Sequence, residues 1–185
     1  MSDRPRVGIS SCLLGEAVRH DGGHRRNSFL VDILGREVEW VAVCPEVEIG
    51  MGTPREPIHL TASDQGVRAG DACVRLIAVS TGEDWTQRMD AWAHKRASDL
   101  ASMNLSGYVL KADSPSCGPK DVGVHHLESI TVTADGRGLF AQAIVDTMPD
   151  LPVEDERRLS DPDVRDRFIA LVFARHRVSM GPHHA

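Results

Sequence analysis

Four short apolar runs with helix-like segments between them restrict this fold more than any other feature. Residues 6–11 (RVGISS), 38–43 (VEWVAV), 73–79 (CVRLIAV) and 106–112 (SGYVLKA) have strand length, and most stop at turn-forming residues. Residues 58–62 form a weaker run of the same kind. Asn27 is placed to cap a short helix over 28–34. A longer helix opens after Thr81-Gly-Glu-Asp, with Asp84 and Gln87 set as a capping box and Trp85, Met89, Trp92, Arg96 and Leu100 near one face. A third helix runs from about Gly136 to Met148. The last starts near Asp161-Pro162 and presents Val164, Phe168, Leu171 and Val172 along one side. This alternation predicts an α/β fold with a mainly parallel sheet and helices on both faces.

At 185 residues the chain suits one domain over 1–185, with 126–178 as a mostly helical C-terminal extension. Hydrophobic residues at 41% and charged residues at 26% match ordinary globular usage, which excludes disordered and fibrous classes. A net charge of −6 argues against a long nucleic-acid partner, because backbone binding needs many Lys and Arg contacts. The first residues lack the apolar core of a signal peptide, and no run reaches membrane-spanning length, so no membrane partner and a cytoplasmic location are expected. In that compartment four cysteines read as free thiols, metal ligands or catalysts rather than disulfides.

In a parallel sheet the loops leaving the carboxyl ends of the strands gather along one edge, where such folds bind ligands. Cys12, Cys44 and Cys117 each follow a strand run and so converge there, whereas Cys73 starts its run and is left out. Thiolates select zinc, copper(I) or iron–sulfur clusters. A structural zinc would take a fourth ligand from His20, His24 or His59; a four-iron cluster on three cysteines would leave one iron open as a Lewis acid. No C-x-x-C pair marks a zinc ribbon or a redox dithiol. The loop Arg19-His-Asp-Gly-Gly-His-Arg-Arg-Asn27 offers donors and close backbone approach beside the first cysteine. Arg19, Asp21, His24, Arg26 and Asn27, with Arg25 and Arg55, are the candidate substrate- or phosphate-binding residues. The rival from another class is a nonenzymatic nucleotide-binding or zinc-stabilised regulatory domain that uses the cysteines structurally.

Five motifs in order, SSCLLG (10–15), RHDGGH (19–24), VCPEVE (43–48), Gly50-x-x-Thr-Pro-Arg55 and DSPSCG (113–118), resemble the DUF523 family, which includes the thiouracil desulfurases. GRGLFA (136–141) and LPVEDERRL (151–159) resemble longer, two-domain relatives that act on thiouridine monophosphate and carry a C-terminal partner domain. The resemblance implies a Rossmann-like domain and a [4Fe-4S] cluster on Cys12, Cys44 and Cys117. It further implies Glu46 as catalytic acid/base and Ser114 as its helper. The expected substrate is a small thiopyrimidine, either thiouracil or 4-thiouridine monophosphate. Its C=S would become C=O, releasing sulfide without redox chemistry.

Overall fold

A computed structural model describes residues 4–62, 74–126 and 128–180 of the protein. The strands are β1 (Arg6–Ser10), β2 (Glu39–Val43), β3 (Ile58–Ala62), β4 (Arg75–Ala78), β5 (Gly107–Leu110), β6 (Val122–His126), β7 (Thr131–Gly136) and β8 (Val153–Asp155). The α-helices are α1 (Pro45–Glu48), α2 (Thr86–Ala101), α3 (Leu139–Thr147) and α4 (Pro162–Met180).

The first sheet has the order β2-β1-β5-β8 and every pair in it is parallel. Successive strand residues point to opposite faces, and here both faces are apolar. Val7, Ile9 and Val109 pack on one side with Leu30, Leu34, Phe168 and Val172, under α4. On the other side Val43, Tyr108 and Leu110 meet Ala93, Ala97, Phe140 and Ile144 of α2 and α3. This is the expected α/β architecture with helices on both faces. Gly8 makes it possible at the centre, because a Cβ there would lie 2.3 Å from the Tyr108 ring.

The single mainly parallel sheet foreseen from sequence is in fact two. The second, β4-β3-β6-β7, is mixed, with β3–β6 parallel and β3–β4 and β6–β7 antiparallel. Met89 of α2 packs against Leu60, Leu76 and Val124 of this sheet, while Ala93 and Ala97 of the same helix serve the first sheet. The strand expected over 73–79 is β4, and Cys73 lies outside the described residues. The stretch 126–178 holds α3 and α4 together with β7 and β8, so it supplies an outer strand of the parallel sheet.

Local expectations met varied outcomes. The 28–34 segment is a π-helical turn, Phe29–Ile33, followed by a 3-10 turn, Leu34–Arg36. Asn27 does cap it, its Oδ1 accepting the Leu30 N–H at 3.1 Å. Asp84 accepts the Thr86 N–H at 2.9 Å, one turn position earlier than a capping box requires. Arg96 leaves the apolar stripe of α2 to pair with Glu48 at 3.2 Å. Leu171, expected on the buried side of α4, is 45% exposed. Among the described residues no helix is long and apolar enough to cross a membrane.

Candidate active site

The carboxyl ends of the parallel strands surround a cavity of about 390 Å³. Each cysteine arrives by a short route from a strand. Ser10 pairs with Val43 in the β1–β2 register, so Cys12 and Cys44 leave neighbouring strand ends together. Cys12 sits in a 3-10 turn, Ser11–Leu14, that Gly15 closes at a φ of 103°; a residue with a Cβ would be strained there. Cys44 precedes Pro45 at the first position of α1. Cys117 belongs to the loop after β5, where the Ser114 hydroxyl accepts the N–H of Ser116 at 3.2 Å and of Cys117 at 3.1 Å. All three thiols line the cavity.

Burial governs these thiols. It raises Cys12 to about 11 and Cys44 to about 12, in both cases with the nearby Glu46 charge adding to the rise. Burial, and after it the Glu46 charge, pushes Cys117 well up, while the Ser10 side chain acts in the opposite sense. Thiolates at these positions therefore need a cationic partner, which metal coordination provides. Sulfurs sharing one tetrahedral zinc stand roughly 4 Å apart. Among the described residues no three His, Cys, Asp or Glu side chains gather closely enough to hold a single ion. Three cysteine thiols around one cavity are donors of the kind that iron–sulfur groups take. Of the three histidines foreseen as a fourth zinc ligand, two lie outside the cavity lining. His20 lines the cavity, but His24 Nδ1 accepts the Arg26 N–H at 3.2 Å, and His59 stacks on His125 at 4.5 Å between ring centres.

Glu46 is buried in the cavity wall. Its Oε2 lies 3.4 Å from Cys44 Sγ and 3.7 Å from Arg55 Nη2. Arg55 in turn donates through Nη1 to the carbonyls of Val18 at 2.9 Å and Gly52 at 2.8 Å. It therefore ties the loop after Cys12 to the carboxylate and has few donors left for a ligand. Glu48, two residues on, turns away to Arg96.

The foreseen binding loop divides. Arg19 and Arg25 line the cavity; Asp21, His24, Arg26 and Asn27 do not. Asp21 Oδ1 accepts the Gly23 N–H at 2.9 Å and stands 3.6 Å from Arg19 Nε, while Arg26 Nη2 reaches Asp32 at 2.6 Å. These residues shape the loop. Sequence reasoning missed the pair Lys111–Glu156, placed directly after β5 and β8, with Lys111 in the cavity wall. A lysine ending a strand run gave a faint signal, but β8 itself, only three residues long, gave none.

A family model described as 2-thiouracil desulfurase matches residues 7–156, an interval that spans every cavity-lining residue. The chain belongs to the 2-thiouracil desulfurase family. Among curated relatives, the uncharacterized protein YbbK of Bacillus subtilis (strain 168) is 34% identical over 111 residues, covering 60% of this chain and 71% of that protein. The solved structure of the [4Fe-4S]-dependent thiouracil desulfidase TudS superposes with a TM-score of 0.67 at 27% identity, covering 90% of this chain and 99% of that one.

Proposed function

We propose that this protein is a [4Fe-4S]-dependent desulfidase that converts the C=S of a small thiopyrimidine to C=O. The observation that carries the reading is the meeting of Cys12, Cys44, Cys117 and Glu46 in one cavity, in a member of the 2-thiouracil desulfurase family. Cys12, Cys44 and Cys117 would hold the cluster, which supplies a Lewis acid with affinity for sulfur at the iron that no cysteine occupies.

The chain's own residues do the rest. Glu46 takes the proton from the water that attacks the ring carbon. Arg55 keeps that carboxylate aimed into the cavity. Ser114 accepts two backbone N–H groups and retains its own hydrogen, which it donates to the reacting group. The apolar part of the wall, formed by Val43, Pro45, Pro57 and Ile58, shields the ring from bulk water. A water oxygen replaces sulfur, sulfide departs, and no electrons are consumed. Arg19 and Arg25 would receive the phosphate of a nucleotide substrate at the mouth. A reducing cytoplasm suits both the free thiols and the cluster.

Anaerobic reconstitution with iron and sulfide tests the reading. The expected result is a brown protein with acid-labile sulfide that releases sulfide from 2-thiouracil or 4-thiouridine monophosphate. Faster turnover of the nucleotide, lost in Arg19→Ala, supports the phosphate site; equal rates for base and nucleotide remove it. A loaded protein inert toward every thiopyrimidine overturns the proposal.

A further inference from the structure

One ion pair in the cavity wall has no part in the chemistry above. Lys111 is the first residue after β5 and Glu156 the first after β8, so neighbouring parallel strands present them side by side. Lys111 Nζ lies 2.5 Å from Glu156 Oε1 and donates to the Ala112 carbonyl at 2.9 Å. Glu156 Oε2 accepts the Ala112 N–H at 2.8 Å. Both side chains are 16% exposed. An ammonium group has three N–H donors, and two are bound here.

The pair stands close to the cysteines. The Lys111 backbone N–H donates to the Ser10 hydroxyl at 3.0 Å, and Ser10 lines the same cavity as Cys117. The Lys111 and Glu156 charges both reach the Cys12 thiol, with opposite sign. Apolar residues could fill a half-buried position like this with equal or better stability, so packing alone does not explain the pair. Of the other cations of the wall, Arg55 is engaged with Glu46 and two carbonyls, and Arg19 and Arg25 are the two assigned above to a substrate phosphate.

We infer that Lys111, held by Glu156, binds the anionic sulfur that desulfuration releases, making this corner of the cavity a hydrosulfide subsite. The inference rests on the desulfidase reading. Water oxygen adds to the ring carbon as the π pair of C=S moves onto sulfur, and collapse to C=O then breaks the remaining carbon–sulfur bond. The sulfur leaves with that σ pair and one proton of water, as hydrosulfide, and the other proton of water goes to Glu46. The remaining N–H of Lys111 donates to this anion. Glu156 tempers the attraction by keeping a counter-charge on the ammonium, so that the product departs.

Sodium sulfide titrated into the reconstituted full chain, followed by the visible spectrum and by inhibition of turnover, tests the subsite. Lys111→Met should weaken hydrosulfide binding by about tenfold or more, the worth of one charge-assisted hydrogen bond. Lys111→Arg should restore it to within a few-fold. Glu156→Gln keeps an acceptor for the Ala112 N–H but removes the charge, and should bind hydrosulfide more tightly and turn over more slowly as sulfide accumulates. Unchanged affinity in a loaded Lys111→Met protein, or weakened affinity in Glu156→Gln, overturns the subsite alone. Should Lys111→Met take up no iron, Glu156→Gln decides by the same criterion. Wild-type protein without iron or acid-labile sulfide after reconstitution overturns the cluster reading, and the subsite with it.

Discussion

Glu46 and Glu48 sit two residues apart on one turn of helix and meet opposite surroundings. Glu46 is buried against Cys44 and Arg55 in the cavity, whereas Glu48 reaches Arg96 of α2. Period and composition do not say where a one-turn helix points, so it is the structure that separates the two. Glu46→Gln should lower kcat about 100-fold or more, the usual contribution of a general base, while the cluster spectrum persists. Glu48→Gln should leave kcat within a few-fold of wild type. Steady-state kinetics on protein matched for iron content compares the two. Ser114→Ala removes an acceptor from two backbone N–H groups in the Cys117 loop. It should destabilise the fold by about 1–3 kcal/mol, measured by denaturant unfolding, as well as slow turnover.

At the scale of elements, the strands β1, β2, β3 and β5 were legible because buried parallel strands read as short continuous apolar runs. The strands β6, β7 and β8 were not. Val122-Gly-Val-His-His126 and Thr131–Gly136 mix small and polar residues, and they are strands because they pair with β3 and with each other. Pairing of that kind depends on partners distant in sequence. The start of α2 shows how acid should act on the fold. Hydrogen bonds from Thr86 and Arg75 hold the Asp84 carboxyl at about 2, below its ordinary 3.8. A depressed carboxyl stabilises the native state above its unfolded pKa, and the contribution disappears as pH falls through the folded value. Asp84→Asn should therefore lower the denaturation midpoint at pH 6 and make progressively less difference as pH falls through about 2. Since Asp84 and Arg75 are exposed, added salt should shrink the effect.

For the molecule as a whole, the convergence of the three cysteines followed from a single inference, that each leaves the carboxyl end of a parallel strand. The β1–β2 and β1–β5 registers bear it out. The binding loop was less legible, since a run of Arg, His and Asp looks alike whether it faces a ligand or folds on itself; Arg26 with Asp32 and His24 with the Arg26 N–H show the second outcome. A group bonded to Cys12, Cys44 and Cys117 would bind the native state only and so add to its stability. Stripping iron with a chelator should lower the thermal midpoint by several degrees, and Cys117→Ser should show the low midpoint with or without iron. Differential scanning calorimetry under argon distinguishes these cases.

The order of the strands also bears on how such a protein is made. Cys12 and Cys44 are both synthesised before β3, but the third thiol follows β5, which can insert beside β1 only after β3, β4 and α2 have been synthesised. A nascent chain halted at α2 offers an iron donor two sulfurs and no enclosure. On the proposed three-cysteine site, metallation would be a late step, open to chains whose central strands have already found their neighbours.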